Sequence, residues 1–520
     1  MRAARQRVSS LGSGWLRLSS QPEKIPAGCV PISAYLELAP MRAFFWILCA
    51  VASLSAVPPH PNVLFILTDD QGYGDLSAHG NPILQTPHLD RLRSESARFT
   101  DFHVSPTCAP TRSTLLTGRH EFKNGITHTI MERERLTLQA TTLPQVLQQA
   151  GYRTGIFGKW HLGDEAAYQP GRRGFDEVFI HGAGGIGQSY PGSCGDAPGN
   201  TYFNPAILHN GRFEKTQGFC TDVFFQQATQ WIEQEVAAKR PFYCQLATNA
   251  PHAPYNAKPA DAALYKGKVA NDQMANFFGM IHNIDQNVGL LLAKLEQLGV
   301  AKDTIVVFMN DNGTANGQSV FNAGMRGAKG TAFLGGTRAI SFWRWPGKIA
   351  AGDVDTLAGG IDFLPTILDL TQTPLPESVR PQVDGLSVAP LMRPGPVSIL
   401  WPNRTFVTHV GRWARGASPE TGKYIGCSVR TDRWHLVSAA GGKVAGSAAA
   451  VKGPRWLLFD VKKEAGEQTD VATDYPEVVK ELTAYFEKWW QEIQPSLVNE
   501  TAVGPAENPF KVLYREQFGK

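Results

Sequence analysis

The sequence predicts an α/β fold: a large mixed, mostly parallel sheet sandwiched by helices, followed by a smaller α+β region with an antiparallel sheet and one packed helix. Three observations lead there. First, four segments are continuous apolar runs of strand length: "NVLFILTDD", "YRTGIFGKWH", "PFYCQLATNAPHAPY" and "TIVVFMNDNG". Runs rich in β-branched and aromatic residues, bounded by Gly, Pro or Asn, are those of strands buried on both faces. Second, helical periodicity alternates with these runs, the pattern of a parallel sheet with helical crossovers. Third, after Leu370 a Pro-rich stretch, "TQTPLPESVRPQVDG", leads into short strand patterns closed by an amphipathic helix.

The elements follow from local chemistry. In "TPHLDRLRSESARF", Thr86 stands at the N-cap, Pro87 at N1, and Leu89, Leu92 and Ala97 share a face. "QATQWIEQEVAAK" and "NVGLLLAKLEQLG" carry the same period. Beyond the Pro-rich stretch, strands are expected at 405–410, 426–430, 434–438 and 456–461, and a helix over 475–493. That helix has Asp474 and Glu477 at capping-box spacing and an apolar stripe of Val479, Leu482, Phe486, Trp489, Trp490 and Ile493. The stripe is read as core. The expected division is a catalytic domain over 60–375, a subdomain over 380–500 and a tail over 501–520.

Each apolar run ends in polar residues, and in open α/β sheets the site lies at the carboxyl ends of the strands. The ends are Asp69 and Asp70; Lys159 and His161; Asn249 and His252; Asp311 and Asn312. One Asp after a strand is ordinarily a cap. Two strands ending in Asp-Asp and Asp-Asn fit a bound cation better, because adjacent carboxylates repel without one. Hard oxygen donors suit calcium or magnesium rather than zinc. Cys108, in "SPTCAPTRSTLLTGRH", precedes a helix expected over 111–117 with Gly118 as its C-cap. It can be a disulfide partner, an inert buried thiol or a functional group. A helix N-terminus and the nearby Arg112 would favour an anion there and lower the thiol's pKa.

The totals exclude several classes. Fifty Lys and Arg against 46 Asp and Glu leave a charge of only +4, which does not favour a nucleic-acid partner. No internal repeat and no second apolar run of membrane-spanning length occurs. From Met41, "MRAFFWILCAVASLSA" has the layout of a secretory signal peptide over 41–56, with 1–40 as an extension ahead of the native start. An organellar transit peptide is the rival reading of 1–40. Export is therefore expected: periplasmic or secreted, or a lysosome-like compartment in a eukaryote. With Cys29 and Cys49 removed and Cys108 set aside, Cys194, Cys220, Cys244 and Cys427 remain, an even number compatible with bridges. Cys194 with Cys220 is the favoured pair.

At this point the motifs resemble the sulfatase family of the alkaline phosphatase-like superfamily. "CAPTRSTLLTG" matches its first signature, and "GYRTGIFGKWH" resembles the second, with Phe157 where a smaller aliphatic residue is usual. "NVLFILTDDQGYGDL", "APHAPY", "NDNG" and "MRGAKGTAFLGG" resemble further blocks in the family's order, over roughly 60–495. The resemblance implies that a formylglycine-generating enzyme oxidises Cys108 to Cα-formylglycine, which is hydrated to a diol. One diol oxygen attacks sulfur, and the other hydroxyl then expels sulfate from the sulfated enzyme. It implies Asp69, Asp70, Asp311, Asn312 and modified Cys108 as ligands of one Ca2+ (or Mg2+). It implies Arg112, Lys159 and Lys329 as cations on the sulfate, His161 as the base and His252 as the acid. The substrate would be a sulfated carbohydrate, with aryl sulfates as surrogates.

The sequence departs from the family at Leu334, where a Glu is usual, and over 182–220, which matches no block. The second region is where substrate choice is expected to lie. The rival readings are a phosphoryl or phosphonate hydrolase of the same superfamily, disfavoured by a metal set short of histidines, and an inactive binder of sulfated glycans.

Overall fold

Val63, Phe65 and Leu67 point into one apolar layer and Leu64 and Ile66 into another, since successive strand side chains face opposite sides. This is why the first apolar run has no polar alternates. The computed structural model describes residues 60–396, 399–439, 454–497 and 504–519, so the extension and the signal peptide expected over 41–56 lie outside the described residues. At its centre four parallel strands stand side by side: β1 (Asn62–Thr68), β2 (Arg153–Lys159), β3 (Phe242–Ala247) and β4 (Thr304–Asn310), in the order β4-β1-β3-β2. Their register pairs Thr68 with Asn310, Leu67 with Ala247, and Ala247 with Gly158. The four carboxyl ends are therefore level, and the residues after them share one edge.

Among the described residues the sheet has ten strands. Glu177–His181 extends it in parallel beyond β2, followed by an antiparallel hairpin; Ser341–Arg344 runs antiparallel beside β4. Helix α1 (Cys108–Thr117) contributes to one apolar layer. Helices α2 (Cys220–Ala237) and α3 (Asp272–Gln297) build the other, with Phe157 packed on Trp231 at 5.6 Å between ring centroids. The expectation for Ala97 is corrected: its helix ends at Ser94, and Ala97 begins a strand paired with Trp343.

The smaller region is the expected antiparallel sheet, Phe406–His409, Cys427–Arg430, Trp434–Ser438 and Trp456–Asp460 in chain order. Helix α4 (Pro476–Ile493) lays Leu482, Phe486, Trp489, Trp490 and Ile493 into one cluster with that sheet. The Asp474–Glu477 capping box does not form. With Pro476 at N1 the N-cap is Tyr475, so Glu477 falls at N2, one residue short of box spacing. The stretch read as a tail contains helix α5 (Pro509–Phe518), capped by Asn508 Oδ1 and tied to Phe213 by two Gln517 hydrogen bonds of 2.8 and 2.6 Å.

The favoured disulfide is also corrected. All five described cysteines are free and buried. Cys194 and Cys220 are anchored separately, the first by its N–H to Glu134 Oε1 and the second with Sγ 3.6 Å from Asn249 Oδ1. Among the described residues no helix is long and apolar enough to cross a membrane.

One buried histidine makes stability acid-sensitive. His409 uses both ring nitrogens in the neutral form: Nδ1 accepts from Gly411 N–H at 2.9 Å and Nε2 donates to Lys423 O at 3.0 Å. Burial pushes its pKa down from 6.5 to about 4. The unfolded chain therefore takes up this proton first. The stability tied to neutral His409 is complete above pH 6.5 and is lost as pH falls toward 4, at up to about 1.4 kcal/mol per pH unit. Melting curves across that window should fall more steeply for the wild type than for His409→Gln; parallel curves would refute the assignment.

Candidate active site

The level strand ends bring all of the predicted site residues into one buried cluster or its immediate rim. Asp69 and Asp70 follow β1, Lys159 ends β2, His252 lies on the loop after β3, and Asp311 and Asn312 follow β4. Cys108 is the first residue of α1, which begins three residues earlier than expected, with Thr107 as N-cap and Gly118 closing the helix at φ 64°. Asp70 and His161 both hold left-handed backbone, φ 68° and 59°, a conformation costly for non-glycine residues and concentrated at functional sites.

Three carboxylates meet three cations. Lys159 Nζ donates to Asp69 Oδ2 at 2.5 Å, Lys329 Nζ reaches Asp70 Oδ1 at 2.5 Å, and Arg112 Nη2 donates to Asp311 Oδ2 at 2.8 Å. Arg112 also lies 3.9 Å from Asp69 Oδ2, and His252 Nε2 lies 3.7 Å from Asp70 Oδ2. The Cys108 thiol donates to Asp69 Oδ1 at 3.3 Å. Burial raises and crowding by Asp69 further raises the carboxyl of Asp311, to about 7, against Arg112 and Lys159. Burial opposes the charged form of Asp70 too, but Lys329 and His252 outweigh it and hold that carboxyl below its usual range.

The expectation of a low-pKa thiol is overturned. Burial and the Asp69 carboxylate push the Cys108 thiol up, and these outweigh Lys159 and Lys329 beside the helix N-terminus. As a cysteine it is a protonated donor rather than a nucleophile.

A cation fits this donor set. Ligand atoms of Asp69, Asp70, Cys108 and Asp311 all lie within 4.8 Å of one another. Asn312 gives its Nδ2 to Asp70 Oδ1 at 3.0 Å, while its buried Oδ1 has no partner among the described residues. An orphaned amide oxygen beside three carboxylates is a hard oxygen set for calcium or magnesium.

The two histidines differ in their bonding. His161 Nε2 is 2.9 Å from both Glu134 Oε2 and Thr129 O. Two acceptors place the hydrogen on Nε2, leaving Nδ1 as a buried lone pair with no partner among the described residues. Burial and Lys159 hold its pKa down, at about 4, despite Glu134. His252 Nδ1 bonds Ala253 O at 2.7 Å, so its free nitrogen is Nε2; burial pushes this ring to about 4, with Asp70 opposing.

Sequence reasoning did not find Glu134, which also accepts from Ser193 Oγ at 2.5 Å. One of two glutamates in "MERERL" carries no local signal. It also missed His181, fully buried next to Lys159 in the sheet, with neither ring nitrogen bonded among the described residues. Over the unassigned region, the chain passes so close to both histidines that a Cβ at Gly184 would lie 2.9 Å from His161 Cε1 and one at Gly185 would lie 2.7 Å from His252 Nδ1. Glycines are needed there. Leu334 packs with Tyr73 and Met325, and its N–H donates to Glu467 Oε2 at 2.7 Å.

This fold and site define a hydrolase of the alkaline phosphatase-like architecture. Residues 61–373 match the family model described as Sulfatase, and the chain belongs to that family. Arylsulfatase G of Rattus norvegicus is 30% identical over 89% of this chain and 94% of its own length. N-acetylgalactosamine-6-sulfatase of Homo sapiens is 34% identical over 66% of this chain and 67% of its own. Among solved structures, Ps i-CgsB in complex with k-i-k-neocarrahexaose superposes with a TM-score of 0.71 at 26% identity, covering 85% of this chain and 95% of that one. The phosphonate monoester hydrolase of Agrobacterium radiobacter (TM-score 0.55, 18% identity, 84% and 96% covered) shares the fold alone. The activity class is sulfuric ester hydrolysis.

Proposed function

We propose that this chain is an exported, calcium-dependent sulfatase that hydrolyses sulfate esters of glycans through a Cα-formylglycine diol made from Cys108. The observation that carries the reading is Cys108 at the start of α1, 3.3 Å from Asp69, with Arg112, Lys159 and Lys329 close enough to act on it. A thiol so protonated is a poor nucleophile; a diol at the same place would supply one oxygen to attack sulfur and a second hydroxyl to expel sulfate. Asp69, Asp70, Asp311 and Asn312 would hold the Ca2+, with Mg2+ as a substitute, and the ion would polarise the sulfate ester. Export rests on the 41–56 pattern alone, since the cysteines do not pair. The sugar substrates of the relatives support a sulfated carbohydrate.

Arg112, Lys159 and Lys329 neutralise the charge that develops on the transferring group, from fixed positions in a dry site. His161, with Nε2–H held by Glu134 and Thr129 O, presents Nδ1 as the base for the second diol hydroxyl. His252 gives the leaving oxygen a proton from Nε2. Its burial keeps it neutral alone, and an anionic sulfate beside it favours the charged ring.

The two histidines are separable by leaving group. Nitrophenolate departs unaided, so His252→Ala should lose little on nitrophenyl sulfate, but about 10²–10⁴-fold in kcat on a sugar sulfate. His161→Ala should slow both substrates alike and give one stoichiometric burst of alcohol followed by a stall. Equal losses for His252→Ala on both substrates, with no burst for His161→Ala, would reverse these roles. Hydrolysis of a nitrophenyl phosphate in preference to the sulfate would overturn the sulfatase reading itself.

A further inference from the structure

The smaller region sends one more cation to the site, on the loop 410–416 after its first strand. Arg133 fixes that loop: its guanidinium lies 4.0 Å from the Trp413 ring centroid and donates to Trp413 O at 2.8 Å and to Gly411 O. Gly411 has φ 67°, and a Cβ there would lie 2.1 Å from Thr127 O, so only glycine lets the loop sit this close. Between these anchors Arg412 Nη2 donates to Thr129 Oγ1 at 3.2 Å, the same residue whose carbonyl lies 2.9 Å from His161 Nε2.

Arg112, Lys159 and Lys329 each close on an aspartate. Arg412 does not. Among the described residues it has no carboxylate within ion-pair distance, its Nε is buried without a partner, and its Nη1 makes no hydrogen bond. The Asp70 carboxylate at the site attracts it, and the Arg133 guanidinium repels it. Part of the side chain stays exposed, and a ligand can reach it there. A largely desolvated charge is costly without an anion. Its Nη1 stays unbonded on the Nη1–Nη2 edge, the planar fork that matches a carboxylate or a sulfate. The Gly-rich segment that covers both histidines meets the Arg412 loop, where a Cβ at Gly192 would lie 3.9 Å from Arg415 Nη2.

Resting on the sulfatase reading above, we propose that Arg412 forms a second anion subsite beside the sulfate-ester site. The preferred substrate then carries another negative group, a carboxylate or a further sulfate, on the sugar bearing the scissile ester or on its neighbour. Arg412 acts in binding, and its contribution appears in KM more than in kcat.

The test measures kcat/KM of formylglycine-containing wild type, Arg412→Gln and Arg412→Lys on four substrates: nitrophenyl sulfate, a monosulfated neutral sugar, that sugar linked to a uronate, and that sugar with a second sulfate. The wild type should prefer a doubly anionic arm, and the arm with the larger preference identifies the group. Arg412→Gln, which can still bond Thr129, should reduce that preference over nitrophenyl sulfate by about 10- to 100-fold. Arg412→Lys should recover part of it, since charge remains without the fork, and added salt should weaken the preference. Equal losses on all four arms would mean that Arg412 only supports Thr129 and His161, and would overturn the subsite. So would a wild type with no preference for a second charge. Wild-type enzyme that cleaves none of the four would overturn the sulfatase reading and the subsite with it.

Discussion

Cys108→Ser is expected to fold as the wild type does and to lose about 10³–10⁶-fold in turnover, the range seen when a covalent nucleophile is removed. The fold should persist because the change replaces one small, buried atom whose only described partners are the Asp69 and Asp70 carboxylates. Turnover should collapse because serine offers one hydroxyl, and the proposed cycle needs two on the same carbon. The peptide containing Cys108, from cells that make formylglycine, should carry an aldehyde in mass spectra, and specific activity should scale with the converted fraction. Full activity from unconverted cysteine would sink the mechanism. The structure makes that outcome difficult to reconcile, since burial and Asp69 keep the thiol protonated.

Removing the metal is expected to have an effect of similar size. Chelation should take activity to background, and calcium or magnesium, not zinc alone, should restore it. Asp311→Ala should weaken metal affinity by about 100-fold or more, beyond what loss of an outer-shell partner costs. The change also leaves Arg112 without its 2.8 Å acceptor. A readout independent of turnover is available: saturating calcium at a hundred times its Kd should stabilise the wild type by about 2.7 kcal/mol, and Asp311→Ala far less at the same concentration. Unchanged melting with calcium, together with full activity in chelator, would move the assignment to a metal-free site.

Much of the site was legible because its signals are local. A strand is announced by its own apolar run, and in a parallel sheet the residue after that run falls at the active edge; Asp69, Asp70, Lys159, Asp311 and Asn312 could be placed that way. The Cys108 segment was legible through its match to a family signature. Local chemistry misled where tertiary contacts outweigh it. The helix N-terminus argued for an acidic thiol, but full burial next to Asp69 reverses the shift. An even count of cysteines left room for bridges, and the Gly-rich loop between Cys194 and Cys220 favoured that pair, while the two ends of that segment are held by different partners.

By itself the sequence determined the α/β sheet, the antiparallel sheet with its aromatic helix, and the set of acids, cations and histidines that gather at the strand ends. These depend on hydrophobic period and chain direction, which neighbouring residues encode. Only the tertiary structure decided which nitrogen of His161 stays free, through Glu134 and Thr129 from a segment 27–32 residues away. It alone brought Arg412 to Thr129 across 283 residues and left that guanidinium without an acid among the described residues. Pairings of this kind depend on how separate layers pack, and a buried charge or lone pair takes its meaning from the groups around it, which no stretch of sequence specifies alone.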